Sequence, residues 1–363
     1  MKLGIVGLPN SEKSTLFNAM TKAGAEAGNY LFSTKESNVG VVTVPDDRLK
    51  VLNGMYNANR IVYTSIEFFD MAGLVRGASK GEGLGNKFLG QIREAAAIVH
   101  VVRCFDDENI MHVDGGVDPA RDINTINLEL ILADVDVLER RADKTRKALK
   151  GDRKLEGELA LLERILDGLL SEVPARALEM TDDERAFVST LDLLTFKPVI
   201  YAANINDSEA GNAEESDYIK TVKAIAGPEG ADVIVVAAKV EAELSEFDDD
   251  ERGVFLEELG IQESGLDKLI NASYRILDLI SFLTAGKPEV RAWTIKRGMK
   301  APQAAGKIHS DIERGFIRAE TIAYEKLIEC GSIALAKEKG LVRSEGKEYI
   351  VKDGDVIHFL FNV

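Results

Sequence analysis

The chain has 363 residues, a hydrophobic content of 45% and a formal net charge of −16. That length predicts about two to three domains with sizeable cores, and the acidic balance argues against a general nucleic-acid coat. No apolar run reaches the roughly 18 residues that a membrane-spanning helix takes, and Cys104 and Cys330, the two cysteines, stand outside any Cys-x-x-Cys pair, so neither a zinc site nor a disulfide framework is predicted.

In chain order, residues 2–6 form a short apolar run that stops at Gly7. A polar turn and a helical pattern from Lys13 follow, which reads as strand, loop, helix. The start runs straight into this unit with no separate apolar stretch or small-residue cleavage site, so no signal peptide is predicted and the cytosol is the expected compartment. Further runs at 65–69, 97–102, 198–203 and 232–236 have the length and β-branched content of buried parallel strands. Helical segments between them predict an α/β, doubly wound, parallel-rich sheet.

Between the third and fourth of these strands, Leu128, Ile131, Val135, Leu138 and Ala142 follow helical spacing. Gly151-Asp152 breaks the pattern, and Leu155, Leu159, Leu162, Ile165 and Leu169 resume it. This predicts an inserted αα-hairpin or short antiparallel coiled coil. In the tail, a strand at 290–295, a helix around 304–308 and an alternating stretch at 349–361 predict a small α+β domain. The expected boundaries are 1–126 with 192–280 for the nucleotide domain, 127–191 for the helical arm and 281–363 for the tail domain. Residues 281–363 carry 14 Lys and Arg against 11 Asp and Glu, a net of +3, while the rest carries −19. The tail is therefore a candidate surface for RNA or an acidic partner.

The chemistry concentrates at strand ends. Gly7-Leu-Pro-Asn-Ser-Glu-Lys-Ser14 approximates the phosphate loop G-x-x-x-x-G-K-[ST]. In such a loop backbone N–H groups and a helix N-terminus wrap phosphates, Lys13 reaches the β- and γ-phosphates, and Ser14 ligates Mg²⁺. Glu12 replaces the second glycine. Were its carboxylate to face a phosphate at about 4 Å and an effective dielectric near 20, repulsion would reach about 4 kcal/mol; an outward rotamer avoids most of it. Asp70-Met-Ala-Gly73 matches the D-x-x-G element, in which Asp70 holds Mg²⁺ through water and the Gly73 N–H meets the γ-phosphate. Gly77, Gly81, Gly83 and Gly85 follow, the density expected of a switch loop. Leu74 stands where many GTPases place a water-orienting glutamine. Asn204-Ile-Asn-Asp207 takes the place of the base-reading N-K-x-D element. Ile205 replaces its lysine, Asp207 can still accept hydrogen bonds from guanine, and so the base stays open at this point. Ala237-Ala-Lys239 then closes the pocket.

These stretches, with Lys13-Ser-Thr-Leu-Phe-Asn18 and the run from Asp70 through Gly-Leu-Val-Arg-Gly to Phe88, resemble the Obg-related proteins. Val101-Val-Arg-Cys-Phe105, Ala301-Pro-Gln-Ala-Ala-Gly-Lys-Ile-His-Ser-Asp311, Gly315-Phe-Ile-Arg-Ala-Glu320 and Tyr349-Ile-Val-Lys-Asp-Gly-Asp-Val-Ile-His-Phe359 resemble the YchF branch of Obg-like ATPases. The resemblance implies a P-loop G domain with an inserted helical arm and a C-terminal TGS domain of β-grasp type. It implies hydrolysis of ATP in preference to GTP, and association with ribosomes linked to stress responses. It places Asn10, Ser11, Glu12, Lys13, Ser14 and Thr15 around the phosphates, Ser14 and Thr34 on Mg²⁺, and Asn204 and the Ile205 backbone on adenine. His112 matches the family's candidate for orienting or activating water. The family reads Asn-Val-Gly-Lys-Ser where this chain reads Asn10-Ser-Glu-Lys-Ser14, and it differs again around Thr34 and at Asp207.

The expectation is thus a Mg²⁺-dependent ATPase that engages the ribosome through the tail domain and the helical arm, as a monomer without membrane or DNA partners. Glu12 leaves one alternative, a nucleotide-impaired ribosome-binding protein, and Asp207 leaves another, a GTPase.

Overall fold

A computed structural model describes residues 2–27, 39–71, 84–107, 115–209, 211 and 216–362. Contacts divide the chain into two units. One is built on Glu67–Leu269 with the N-terminal segment through Lys22, the other on Val41–Ile66 with Ile270–Val363.

One six-stranded sheet runs in the order Val39–Thr43, Ser65–Asp70, Lys2–Val6, Ala97–Arg103, Val199–Asn204, Asp232–Val236, and its last four strands lie wholly in the first unit. Lys2–Val6 pairs in parallel with Ser65–Asp70 on one side and Ala97–Arg103 on the other, and Val199–Asn204 and Asp232–Val236 continue the parallel run. Every residue of Ala97–Arg103 and of Val199–Asn204 is buried, which is why these strands read as unbroken apolar runs rather than alternating ones. From Lys2–Val6 the chain goes to the strands on one side and then crosses from Ser65–Asp70 to Ala97–Arg103 on the other, and ligands of open α/β sheets bind at such a reversal, beyond the carboxyl ends of the strands. Ile5 lies level with Asp70, and Asn204 lies level with both Arg103 and Val236, so the register brings all the strand-end motifs to one edge.

The inserted helices begin with Pro119–Ala148, capped by the Asp118 side chain accepting from the Arg121 N–H, with proline in the first turn. One face of this helix changes role along its length. Ile123, Ile126, Leu130 and Ala133 pack into the core of the sheet, while Ile131, Leu138 and Ala142 meet Leu159, Leu162, Ile165 and Leu169 of Glu156–Leu170. Leu128, expected in the buried stripe, is 40% exposed. At 100° per residue it points away from the face that Ile126 and Leu130 commit to the sheet. The helix Asp182–Ser189, closed by a Thr181/Glu184 capping box, completes this cluster through Val188.

The second unit carries another six-stranded sheet, in the order Arg343–Glu345, Phe316–Ala323, Asp355–Phe361, Leu279–Ala285, Val290–Lys296, Ile61–Val62. Ala301–Ile308 packs its alanines against Phe282, Ile295 and Phe359. Of the alternating stretch at 349–361 only Asp355–Phe361 is strand, because a turn closes where the Asp355 N–H donates to the Lys352 carbonyl. Gly354 takes φ +77° there, a conformation that favours glycine. Leu49 and Leu52, from the helix Asp47–Tyr56, are fully buried in this unit beside Leu283, Val290 and Ile322. Among the described residues no helix is long and apolar enough to cross a membrane.

Candidate nucleotide-binding site

The loop after Val6 is shaped by two constraints. A side chain at Gly7 would press on the Val101 carbonyl, leaving 2.9 Å, and on Ser11 Oγ, leaving 2.7 Å, so the loop passes too close to the neighbouring strand for anything but glycine. Further on, Asn10 and Glu12 adopt φ +66° and +60°. Glu12 therefore takes the left-handed conformation that the missing glycine would have supplied, at a cost of about 1–2 kcal/mol for a residue with a Cβ. The first helical bond after it runs from the Leu16 N–H to the Glu12 carbonyl. The N–H groups of Lys13, Ser14 and Thr15 precede that bond and point out of the helix start, a ready anion cradle.

Lys13 and Asp70 form an ion pair across adjacent strand ends, and Ser14 Oγ donates to Asp70 Oδ2 at 3.4 Å. Burial lowers the Lys13 ammonium to a pKa of about 8. One carboxylate and one exposed hydroxyl side by side suit Mg²⁺, which takes few protein oxygens and completes its shell with phosphate and water.

The Glu12 side chain is turned toward the base-reading strand end. Its Oε2 accepts from Asn204 Nδ2 at 3.2 Å, and its Oε1 lies 3.8 Å from Lys239 Nζ, which also approaches Asp107 at 3.5 Å. Asn204 is fully buried. Its amide nitrogen also donates to the Ser11 carbonyl at 3.1 Å, and its Oδ1 accepts from the Ala238 N–H at 2.9 Å, so this side chain ties the phosphate loop to the 237–239 loop. The Ile205 N–H donates to the Val236 carbonyl at 2.9 Å, leaving its own carbonyl as the backbone group at that position to meet a base. Asp207 is exposed, with one oxygen accepting from the Ser208 N–H. Asn10, Ser11, Glu12, Lys13, Ser14, Thr15, Asp70, Asn204, Ile205 and Asp207 thus share one end of one sheet. Thr34, Gly73, Leu74, Gly77, Gly81, Gly83 and His112 lie outside the described residues, and Gly85 falls in the helix Leu84–Glu94. Asp107 was not legible in the sequence, because nothing in the motif spacing singles it out. Lys239 was visible only as part of the loop closing the base pocket.

A family described as 50S ribosome-binding GTPase matches residues 2–138, and the YchF-type C-terminal family, described as a protein of unknown function, matches residues 279–362. The chain is 56% identical over 361 residues to a protein of Bacillus subtilis (strain 168) named ribosome-binding ATPase YchF, covering 99% of each. It is 53% identical to the like-named protein of Escherichia coli O157:H7, covering 100% of this chain and 99% of that one.

This chain belongs to the YchF family.

A solved Schizosaccharomyces pombe structure, titled a YchF GTPase, superposes with a TM-score of 0.88 at 36% identity, covering 99% of this chain and 97% of that one. A Pyrococcus horikoshii GTP-binding protein shares the fold at a TM-score of 0.60 and 21% identity. The P-loop sheet, the helical insertion and the C-terminal domain are therefore the architecture of the YchF family. Glu12 is accommodated in that frame by a left-handed backbone and by Asn204 and Lys239.

Proposed function

We propose that this chain binds ATP with Mg²⁺, hydrolyses it to ADP and phosphate, and engages the ribosome, with the tail domain 281–363 and the arm 127–191 as its outward-facing modules. The observation that carries the nucleotide reading is the meeting of Lys13, Ser14 and Asp70 at adjacent strand ends, beneath an anion-ready helix start. The ribosomal part rests on full-length likeness to proteins named ribosome-binding ATPases.

In this reading Lys13 leaves Asp70 for the β- and γ-phosphates, and Ser14, Thr34 and Asp70 hold the metal. Mg²⁺ bound there would neutralise charge on the phosphate oxygens. The cradle of N–H groups holds the γ-phosphoryl in line for water, whose attack on phosphorus breaks the bond to the β-phosphate oxygen and releases ADP. Leu74 cannot orient that water, and His112 is assigned the task. His100 is unsuited to it: it is 2% exposed, and burial, with the Arg176 charge adding to it, lowers its pKa to about 3. His112→Ala is expected to keep ATP affinity and lose most turnover, read by phosphate release under saturating ATP. Full turnover in that variant removes the assignment.

The second reading, a nucleotide-impaired ribosome-binding protein, is favoured by Glu12 alone. Asp207 keeps a GTPase in play against Ile205, and the names of relatives divide between ATPase and GTPase. Competition of unlabelled ATP and GTP for a fluorescent ATP analogue separates them. Displacement by ATP at lower concentration is expected, and the reverse order would make the chain a GTPase.

A further inference from the structure

Glu12 sets a carboxylate against the asparagine of the base-reading element. Asn204 is fully buried, and its Oδ1 already accepts from the Ala238 N–H at 2.9 Å. Its Nδ2 donates to the Ser11 carbonyl at 3.1 Å and to Glu12 Oε2 at 3.2 Å. An asparagine with both ends free reads adenine alone, donating to N7 and accepting from the N6 amine. Asn204 has only its donor end to offer. The acceptor next to that donor is Glu12 Oε2, so the two side chains together present the pair that one free asparagine would.

The two purines differ at this edge. Adenine shows the N7 acceptor beside the N6 donor, whereas guanine shows two acceptors, N7 and O6. An ionised carboxylate accepts and donates nothing, so it matches the adenine amine and repels the guanine oxygen. Lys239 restrains the carboxylate in this direction. Its ammonium lies 3.8 Å from Glu12 Oε1 and 3.5 Å from Asp107 Oδ2, which leaves Oε2 as the oxygen turned to Asn204. One ammonium between two carboxylates keeps this corner net negative, unsuited to a further acceptor such as O6. The Glu12 side chain is 13% exposed, so water screens little of the difference.

Resting on the nucleotide-binding reading, we propose that Glu12 is a specificity-determining residue that selects adenine. When ATP binds, Asn204 Nδ2 gives N7 the hydrogen it now gives Glu12, and Glu12 Oε2 accepts from the N6 amine. A residue that departs from the phosphate-loop pattern thereby takes up base selection, at a site where Ile205 offers the base no polar side chain.

The test is competition against a fluorescent ATP analogue, with Mg²⁺, in the full-length chain, Glu12→Gln and Glu12→Gly. The competitors are ATP, GTP, ITP and purine riboside triphosphate, which share ribose and phosphates and differ only in the base. ITP carries O6 without the 2-amino group of guanine, and purine riboside triphosphate carries only hydrogen at position 6. Glu12→Gly supplies the residue that the phosphate-loop pattern asks for, and its melting temperature checks the fold. Changes in phosphate binding cancel in the ratio of two affinities. The intact chain is expected to bind ATP at least about tenfold more tightly than ITP, the size of one hydrogen bond to a charged group, with purine riboside triphosphate between them. In Glu12→Gly the ratio of ATP to ITP affinity is expected to fall about tenfold on the same basis, and in Glu12→Gln, whose amide can turn either end to the base, by a smaller factor. An ATP preference equally strong in all three proteins overturns the proposal and places base choice in the backbone at Ile205. Tighter binding of ITP and GTP than of ATP by the intact chain also overturns it, with the Lys239 ammonium meeting O6 instead. Analogue binding by Glu12→Gly alone overturns it too, because Glu12 then excludes the nucleotide. Binding by none of the three proteins would overturn the nucleotide reading itself and this assignment with it.

Discussion

Glu12 decides how the phosphate loop is read at the scale of single residues. Its backbone imitates glycine, and its carboxylate, 13% exposed, faces Asn204 and Lys239. The sequence showed that a carboxylate had replaced the second glycine. It could not show the direction of the side chain, which depends on a lysine 227 residues downstream in the chain. Lys13 adds a consequence for pH. With its pKa lowered to about 8 by burial, the free protein carries this charge below that pH and loses it above. Polyphosphate favours the protonated form and raises the pKa in the complex. ATP affinity is therefore expected to be flat up to about pH 8 and to weaken above it, by at most tenfold per unit until the bound-state pKa is reached. Calorimetric titrations from about pH 7 to about pH 10 check this, and a flat profile would mean that Lys13 is not a phosphate ligand.

At the scale of elements, the helical arm was legible from its apolar spacing, but what fixes it to the sheet domain was not. Arg176 and Glu229 form an ion pair at 2.9 Å with side chains 7% and 4% exposed. Arg176 also donates to Asn127 Oδ1 at 2.7 Å, and Tyr201 donates to Glu229 at 2.7 Å. Asp134 accepts from the Leu194 and Thr195 N–H groups and from the Thr195 hydroxyl. These partners lie more than 25 residues apart in sequence, so no local pattern announces them. Removing one member of such a buried pair strands the other. Arg176→Ala is expected to lower unfolding stability by about 3–5 kcal/mol, read from urea midpoints at constant m-value. A loss below about 1 kcal/mol would show that the pair is solvated. The Leu128 discrepancy has a related origin. Spacing gives the buried stripe of a helix with one partner, and this helix changes partner part-way along.

At the scale of the whole molecule, the apolar runs gave the α/β class and five of the six strands of the parallel-rich sheet, because buried parallel strands announce themselves as such runs; the edge strand Val39–Thr43, whose residues alternate between half-buried and buried, was missed. The tail domain was less legible. Val41–Ile66 groups with Ile270–Val363, because Ile61–Val62 pairs with Val290 and Arg291 and because Leu49 and Leu52 lie in the same core as Leu283. Pairings across more than 200 residues leave no trace in local composition. A chain truncated before residue 281 would expose Leu49 and Leu52. It is expected to precipitate or to lose its cooperative melting transition, checked by calorimetry beside the full chain; a soluble truncated chain with an unchanged transition would show that 41–66 folds without the tail.

The central claim is that the nucleotide site works with Glu12 in place. Isothermal titration of the intact chain with ATP and Mg²⁺, beside Glu12→Gly, tests it most directly. Because the carboxylate is directed at Asn204 and Lys239, micromolar ATP binding is expected in both proteins, within about tenfold of each other. Binding in Glu12→Gly alone would contradict the claim and make the chain a nucleotide-impaired member of its family.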